Sequence, residues 1–272
     1  TGSWHGTKTM IEVSPHSENK KGSLFVVGLG PGDVDMILPK VAKVISSATD
    51  IVGYGPYVDR IKPRSNLTIH SSDNRVELER ARLALELALD GKKNVVVVSS
   101  GDPSVFAMAS AVFEVIENGP TEFFEINVTV LPGVTAMLAA SAAVGAFLGH
   151  DFCTINLSDN LKPWDVIEKR LRLAIQGDFA IALYNPRSKT RPDGFKKTLS
   201  ILIDEGVGDR LIAFARDVSL PSQYLSSMRV VDATPEMADM RTVVLVGSSY
   251  TRKIKRDGVK NFYIYTPRYY GE

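Results

Sequence analysis

The sequence predicts an α/β protein with two α/β domains, with a mostly parallel sheet in the first domain and a mixed sheet in the second. Strand-like apolar segments alternate with helix-like segments along the first half of the chain, and several of the strands end in a glycine-bearing turn. In the second half, the strand patterns lack regular intervening helices, which favours a mixed sheet. The chain of 272 residues is long enough for both domains.

The first unit begins with a predicted strand at residues 23–27, which leads directly into the turn GLGPGD at residues 28–33. A helix-like stretch covers residues 34–48 and is followed by a second strand at residues 51–52 and the turn GYGPY. Strand, glycine turn, helix and strand in this order are typical of a βαβ unit.

A dinucleotide-binding fingerprint is the first alternative for this unit, and the residues argue against it. The glycines run G-x-G-x-G instead of G-x-G-x-x-G, and Pro31 removes a backbone N–H from the loop that would hold a pyrophosphate. Asp50 precedes the second strand, whereas the ribose-binding acid is expected at the far end of that strand. A conventional NAD-binding domain is therefore not favoured.

The stretch VVVVSSGDPSVFAM at residues 95–108 is the centre of the predicted first sheet. Four consecutive valines indicate a strand that is buried on both faces. Gly101 lets the backbone approach a ligand, Asp102 accepts hydrogen bonds and Pro103 fixes the first helical turn. The carboxyl ends of parallel strands often form ligand sites, so this turn is a candidate site. The alternative is an ordinary βα connection in which Asp102 caps the helix.

Two further segments complete the first domain. Residues 75–89 carry apolar side chains at helical spacing with charges opposite, so the arginines of this helix are expected to be solvated. Residues 127–131 form another predicted strand, which ends in PGVTA, where Thr135 offers a hydroxyl at the start of a small-residue helix. We expect the three glycine-bearing strand ends to share one crevice.

A change of composition near Gly149 predicts a domain boundary, which gives domains at residues 22–148 and 149–268. The second domain contains predicted strands at residues 152–157, 179–184, 211–215 and 242–247, and an amphipathic helix at residues 165–175. Arg187, Lys189 and Arg191 follow one of these strands and are candidates for binding substrate carboxylates, with a solvated surface loop as the alternative. The aromatic tail NFYIYTPRYYG predicts an edge strand.

Composition excludes several classes of protein. A net charge of +1, from 32 basic and 31 acidic residues, gives no global field to attract nucleic acid or an anionic membrane. No stretch approaches the roughly 20 apolar residues of a transmembrane helix. Residues 1–21 lack the apolar centre of a signal peptide and are expected to be a flexible or artificially added leader. The single cysteine, Cys153, fits a reducing compartment and is expected to be a small buried hydrophobe.

Familiar catalytic and metal-binding patterns do not occur in the sequence. The four histidines, His5, His16, His70 and His150, do not have the spacing of metal ligands, so no metal is predicted. The Gly-x-Ser-x-Gly pattern of a serine nucleophile is also absent.

Taken in order, the motifs resemble those of the tetrapyrrole (corrin and porphyrin) methyltransferase family. They are GLGPGD, GYGPYVD, SSGDPSVFAM, LPGVTAMLAASA, LSDNLKPW, ALYNPRSKTRPDG and TVVLVGSS. The resemblance implies S-adenosylmethionine as methyl donor, a tetrapyrrole substrate, an active site in the cleft between the two domains, a homodimer and a cytoplasmic biosynthetic role. Within the family, GYGPYVD with LYNPRSK and LSD-x-L-x-PW most resembles the enzymes that methylate C17 of a corrin precursor and contract its ring.

The resemblance also assigns residues to the binding of S-adenosylmethionine. From the first domain they are Pro31, Ser100, Gly101, Asp102, Val105, Thr135 and Ala136. From the second domain, on looser alignments, they are Asn185, Asp217 and Thr242. Ser100 stands where the family commonly has glycine, and Asn185 stands where methionine is frequent.

Three points stay open in the sequence. Ring contraction needs proton transfers, for which Asp33, His150 and Asp151 are candidates, and none of them is assigned a catalytic role. Precorrin-3B is the preferred macrocycle and cobalt-factor III is the alternative, because no residue reports the presence of cobalt. A module that binds a nucleotide or a tetrapyrrole without turnover is the alternative from another class of function.

Overall fold

The computed structural model describes residues 22–73, 76–254 and 262–269. The predicted leader and Arg75 lie outside these ranges, as do His5 and His16. The described part of the chain forms two five-stranded sheets, each covered by helices, and a small three-stranded sheet. This confirms the predicted class, with a parallel first sheet and a mixed second sheet. None of the described helices is long and apolar enough to cross a membrane.

The first sheet is parallel throughout. Its strands are β1 Ser23–Gly28, β2 Asp50–Tyr54, β3 Thr68–Ser72, β4 Asn94–Ser99 and β5 Asn127–Leu131, in the order β3-β2-β4-β1-β5. The four valines of β4 are fully buried and point alternately to the two faces. Val95 and Val97 belong to one apolar cluster, and Val96 and Val98 belong to another. This explains why the central strand has no polar alternation.

In the described ranges, five α-helices accompany this sheet. They are α1 Pro39–Ser47, α2 Gly55–Val58, α3 Glu77–Leu89, α4 Met108–Asn118 and α5 Ala136–Val144. The helix predicted at residues 34–48 starts as a short 3-10 turn, Val34–Met36, and α1 begins only at Pro39. Leu38 is extended, as the residue before a proline is expected to be.

One expectation about α3 is wrong. Arg80 is only 4% exposed, although its helix was expected to carry solvated arginines. Its guanidinium donates to Ser72 Oγ at 2.8 Å and to the carbonyl oxygen of Asp73, and it lies 3.3 Å from the Met108 sulfur. The polar end of β3, which the sequence pattern did not reveal, supplies these acceptors and makes the burial possible.

The order of the strands creates a crevice at the carboxyl edge of the first sheet. The chain leaves β1, passes over β4 and enters β2, whereas it leaves β4, passes over β1 and enters β5. The loops after the neighbouring strands β1 and β4 therefore diverge in opposite directions. Ligands of open α/β sheets bind at such a topological switch point.

The described residues of the second half form eight strands and two α-helices. They are β6 Gly145–Ala146, β7 Phe152–Asn156, α6 Trp164–Gln176, β8 Ala180–Tyr184, α7 Gly194–Asp204, β9 Leu211–Arg216, β10 Tyr224–Arg229, β11 Thr242–Val246, β12 Arg252–Ile254 and β13 Tyr263–Tyr265. Further short 3-10 turns are Thr121–Glu125, Val230–Asp232 and Pro235–Met237. The second sheet has the order β10-β9-β11-β8-β7, in which β7 and β8 are parallel and the other pairs are antiparallel.

The two halves are connected through α5. Ala139, Ala140 and Val144 of this helix pack into one buried cluster with Ala182 of β8 and Leu245 of β11. α5 belongs to the first domain in the predicted division, but it covers a face of the second sheet. The boundary near residue 149 stays a prediction.

The aromatic tail differs from its predicted place. β13 lies in the middle of the small sheet, between β12 and β6, and is not an edge strand. Ile264 of β13 is fully buried in the cluster that α5 joins. The tail thus packs against α5, the helix that connects the two large sheets.

We expect Asp50→Asn to weaken the fold near neutral pH and to do so less in acid. Burial opposes the ionisation of Asp50, but hydrogen bonds from His70 at 2.8 Å and Thr49 at 2.8 Å and the charge of Lys93 outweigh it, so the pKa is lowered from 3.8. The ionised carboxylate therefore stabilises the fold above that value, and this contribution is lost as the pH falls through the lower folded pKa.

Urea unfolding at about pH 7 and about pH 2.5 measures this effect. Asp50→Asn should lower the free energy of unfolding by about 1–2 kcal/mol at the higher pH, with a smaller difference from the parent chain at the lower pH. Asp90→Asn, at an exposed position, is the control. An equal difference at both pH values would show that the charge of Asp50 does not contribute.

Candidate functional site

Three glycines meet where β1, β4 and β5 end. A Cβ atom on Gly133 would overlap the carbonyl oxygen of Gly101 and would lie 2.9 Å from Gly28 Cα. A Cβ atom on Gly28 would meet the same carbonyl oxygen and would lie 2.9 Å from Gly133 Cα. The predicted convergence of the three glycine-bearing strand ends is therefore present in the structure, and we call these three residues the glycine junction.

The loops after β1 and β4 are also joined by backbone hydrogen bonds. Gly30 and Gly101 exchange two of them, at 3.2 Å and 2.9 Å, and Leu29 N donates to Ser99 O at 2.8 Å. Both glycines have positive φ, +68° and +62°, which other residues rarely adopt. Pro31 follows immediately and is half-buried at the crevice of the switch point.

Asp102 connects the loop after β4 to the loop after β5. Its Oδ2 accepts from Gly133 N at 2.9 Å, and its Oδ1 accepts from Ser104 N at 2.7 Å. The carboxylate thus holds both loops. The expectation that Asp102 caps the following helix and that Pro103 fixes its first turn is wrong, because α4 begins only at Met108, with Ala107 at its N-cap position. Ser100 is half-buried beside it, with its hydroxyl 3.5 Å from Gly30 O.

Arg60 supports the loop after β1, and the sequence analysis missed it. Its guanidinium donates to the carbonyl oxygens of Leu29 at 2.9 Å, Gly32 at 3.1 Å and Gly30 at 3.4 Å. Burial lowers the pKa of this guanidinium, which nevertheless remains charged. A single arginine after a turn gives no pattern, so only the folded chain reveals this contact.

The start of α5 receives its hydrogen bonds from the second sheet. Thr135 occupies the N-cap position, but its side chain makes no capping bond. The Tyr184 hydroxyl at the end of β8 accepts from Met137 N at 2.9 Å and lies 2.5 Å from Thr135 Oγ1. The Phe106 ring contacts the Tyr184 ring at a centroid distance of 5.4 Å. Ala136, the first residue of α5, adjoins this group, and half-buried Val105 precedes Phe106.

The loop after β9 reaches the loop after β1. Asp33 N donates to Ser219 Oγ at 3.0 Å, and a Cβ atom on Gly32 would lie 2.7 Å from the Leu220 side chain. Ser219 has a positive φ of +70°, and so has Asp217, at +51°. Strained conformations of non-glycine residues persist where surrounding contacts enforce them.

The carboxylate of Asp217 already has protein partners. Arg241 Nε lies 2.5 Å from one of its oxygens, and Arg216 Nη1 at 3.1 Å and Ser222 Oγ at 3.2 Å contact the other. Asp217 is 5% exposed. Its backbone is also paired, since Asp217 N donates to Arg241 O at 3.0 Å and Asp217 O accepts from Leu220 N at 3.0 Å.

Two other residues predicted to bind S-adenosylmethionine, Thr242 and Asn185, lie at the same edge of the second sheet as Asp217. Thr242 is the first residue of the antiparallel strand β11, opposite Arg216 at the end of β9, and its hydroxyl donates to Asp239 Oδ1 at 2.9 Å. Asn185 follows β8 with a positive φ of +52°, and its amide donates to Asn156 Oδ1 at 3.0 Å.

The three cationic residues predicted to bind substrate carboxylates do not converge on one point. Arg187 Nη1 donates to Pro235 O at 3.3 Å, and Arg191 Nη2 lies 3.6 Å from the Met240 sulfur. Lys189 is exposed. The loop therefore begins at the edge of the second sheet where Asn185 and Thr242 also lie, but its positive charges are spread along it.

Arg191 also borders a cavity of about 160 Å³ between the loops after β7 and β8. The cavity is lined by Leu157, Asp159, Trp164, Thr190, Arg191, Pro192, Asp193, Gly194 and Lys197. Two acids balance the two cations in this lining, so it has no strong preference for an anion.

The candidates for proton transfer are placed as follows. Asp33 lies in the loop after β1 and accepts from Asp35 N at 2.9 Å. His150 Nδ1 is 3.9 Å from the exposed Asp151 carboxylate.

Cys153 is half-buried, and burial raises the pKa of its thiol. In the described ranges, no group of three or more histidine, cysteine, aspartate or glutamate side chains is arranged to hold a metal ion.

Comparison with known proteins gives a family pattern that covers this site. The family model described as tetrapyrrole (corrin/porphyrin) methylases matches residues 23–232. The match includes the three loops of the glycine junction, Tyr184 and the loop after β9.

Individual proteins are similar along almost the whole chain. The precorrin-3B C(17)-methyltransferase of Sinorhizobium sp. is 47% identical over 249 residues, which are 92% of this chain and 97% of the relative. The probable cobalt-factor III C(17)-methyltransferase of Salmonella typhimurium is 33% identical over 250 residues, which are 91% of this chain and 99% of the relative. A crystal structure of the methyltransferase CobJ has a TM-score of 0.86 and 58% identity, and the match covers 90% of this chain and all of that chain.

The glycine junction predicts that Gly133→Ala is destabilising. The added methyl group would force the loops after β1, β4 and β5 apart, and overpacking of this kind costs about 1–3 kcal/mol. Gly194→Ala is the matched control, because its Cβ atom would lie 3.4 Å from the nearest atom. Urea unfolding compares the two variants, and equal stabilities would contradict a tightly closed junction.

Proposed function

Because the chain belongs to the tetrapyrrole (corrin/porphyrin) methylase family, we propose that it transfers a methyl group from S-adenosylmethionine to C17 of precorrin-3B. The same reaction contracts the macrocycle and gives precorrin-4. The protein is thus a C-methyltransferase of cobalamin biosynthesis. A homodimer and a cytoplasmic location are part of this proposal and rest on the family resemblance alone.

The observation that carries the proposal is the 47% identity with the precorrin-3B enzyme of Sinorhizobium sp. over 92% of this chain. The second candidate substrate is cobalt-factor III, because a relative of that name is also similar along 91% of the chain. Its identity of 33% is lower, which favours precorrin-3B.

The crevice beside the glycine junction is suitable for a nucleoside-bearing methyl donor. Gly101 has a positive φ, and a Cβ atom there would lie 3.6 Å from Thr135 Cα, so glycine leaves space between the two loops. Ser100 and Thr135 add hydroxyls to this space. When bound, S-adenosylmethionine supplies a methyl group on a positively charged sulfur.

The contribution of the chain is to bind and orient the two reactants. In the proposal, the loops with Pro31, Gly101, Val105 and Ala136 contact the donor, and Asp102 keeps two of these loops together. The turns at Asn185, Asp217 and Thr242 close the donor site from the second domain. Holding the donor and the acceptor carbon in line supplies a large part of the acceleration of such a transfer.

The carboxylates of the tetrapyrrole are assigned to the loop after β8. Arg187, Lys189 and Arg191 offer cations there, and their separation along the loop suits several carboxylates around one macrocycle better than a single anion. No residue is assigned to the proton transfers of the ring contraction.

Anaerobic incubation with methyl-labelled S-adenosylmethionine tests the function. Precorrin-3B and cobalt-factor III are offered in parallel, and the mass and the absorbance spectrum of the products are measured. We expect one methyl group to be gained on precorrin-3B. A gain on cobalt-factor III alone would replace the substrate of the proposal, and binding of both ligands without transfer would identify a non-catalytic module.

Asp102→Ala is expected to weaken the binding of S-adenosylmethionine by about 1.5–3 kcal/mol, the range for a hydrogen bond to a charged group. It should also lower the melting temperature, because Gly133 N and Ser104 N lose their acceptor.

Calorimetric titration of S-adenosylmethionine and thermal unfolding measure these two effects. Asp90→Ala is the control, since this exposed carboxylate also accepts from the amide two residues later, Lys92 N, at 3.2 Å. Unchanged affinity in Asp102→Ala would remove Asp102 from the donor site.

A further inference from the structure

We propose that Tyr184 is a positioning residue of the methyl-donor site, which acts by orienting the hydroxyl of Thr135 and the first turn of α5. This inference rests on the proposed function and deepens it, because the resemblance assigns Thr135 and Ala136 to the donor but gives no role to Tyr184.

The first observation is that the cap of α5 comes from the other sheet. An N-cap threonine normally accepts a hydrogen bond from the backbone of its own helix. The Thr135 side chain makes no such bond, and the Tyr184 hydroxyl accepts from Met137 N at 2.9 Å instead. The hydroxyl of Thr135 is therefore free from the task of capping its helix.

The second observation concerns the hydrogens of the Thr135–Tyr184 pair. The two hydroxyl oxygens are 2.5 Å apart, and one hydrogen lies between them. Whichever hydroxyl donates, the other keeps its own hydrogen for a third partner. Met137 N is a third partner of the pair, but it is a donor, and among the described residues neither hydroxyl has a further acceptor for that hydrogen. The pair therefore offers one directed donor beside the glycine junction.

The third observation is that Tyr184 also supports the loop after β4. Its ring packs edge-on against the ring of Phe106, whose backbone has a positive φ of +52°. Strained conformations persist where surrounding contacts hold them, and the Tyr184 ring is one such contact for Phe106, which is otherwise 46% exposed. One tyrosine of the second sheet thus holds residues of two loops that the proposal assigns to the donor.

Burial makes this arrangement suitable for positioning. It raises the pKa of the Tyr184 phenol, against the opposing effect of the hydrogen bonds with Thr135 and Met137, so the group stays a neutral donor and acceptor at neutral pH. Thr135 itself is 5% exposed. Hydrogen bonds between buried groups have a defined geometry, and their loss is not compensated by water.

A double-mutant cycle tests the proposal. Tyr184→Phe removes the hydroxyl and keeps the ring that packs on Phe106, and Thr135→Val removes the other hydroxyl at nearly constant shape. We expect each variant to raise the Kd of S-adenosylhomocysteine about 5- to 10-fold, as the loss of one hydrogen bond does. The double variant should be no weaker than the weaker single variant, because both changes break the same interaction.

Two control variants accompany the cycle. Thr135→Ser keeps a hydroxyl at the same place and should bind S-adenosylhomocysteine like the parent chain. Tyr224→Phe removes a phenol that is 64% exposed on the edge strand β10, and should also leave the Kd unchanged. Melting temperatures of all variants are recorded beside the titrations.

Each outcome decides the proposal. If the increase in Kd of the double variant is the product of the two single increases, the proposed role of Tyr184 is wrong. It is also wrong if Thr135→Val binds S-adenosylhomocysteine like the parent chain. In both cases the proposed function stands. A Tyr184→Phe chain that does not fold would also overturn the proposed role of Tyr184, because the phenol would then serve the fold. A parent chain that does not bind S-adenosylhomocysteine would contradict the proposed function as well.

Discussion

The close approach of three backbones at Gly28, Gly101 and Gly133 is the constraint on which the rest of this structure depends. Side chains at Gly28 and Gly133 would meet the carbonyl oxygen of Gly101 and separate β1, β4 and β5 at the edge where their loops diverge. At Gly101 itself, the positive φ of +62° favours glycine. With glycines there, two backbone hydrogen bonds join Gly30 to Gly101, and Asp102 reaches Gly133. The crevice at the switch point is therefore a product of chain geometry more than of any single polar side chain. The Arg60 guanidinium donates to three carbonyl oxygens of the first loop.

The second sheet completes this edge, and it does so through a few specific contacts. Small side chains allow α5 to lie flat on β8 and β11, which places the start of the helix beside Tyr184. Asp33 and Ser219 connect the loops after β1 and β9 on the other side. Residues of both halves thus line the same edge of the structure. Methyl transfer requires such an arrangement, because the donor and the acceptor must be held next to each other. Several of these contacts involve residues with positive φ, which is typical of functional sites.

The sequence predicted the parts of the fold that follow from local pattern. The four valines of β4 could be recognised because a buried parallel strand is continuously apolar. The strand at residues 127–131, at the edge of the sheet, could be recognised from its β-branched residues and the Pro-Gly turn that follows it. It did not predict β3 or β10, which are partly polar, or α7. The burial of Arg80 depends on Ser72, Asp73 and Met108 together, and such an environment exists only after folding. The same is true of Arg60 and Tyr184. The donor contacts assigned from the family remain predictions, although most of these residues lie around one crevice.

A crystal structure of this chain with S-adenosylhomocysteine would test the central claim most directly. We expect the ligand in the crevice beside the glycine junction, in contact with the loops after β1, β4 and β5 and with the hydroxyl pair of Thr135 and Tyr184. A ligand bound elsewhere, such as in the cavity between Trp164 and Arg191, would contradict the account even if the chain transfers methyl groups.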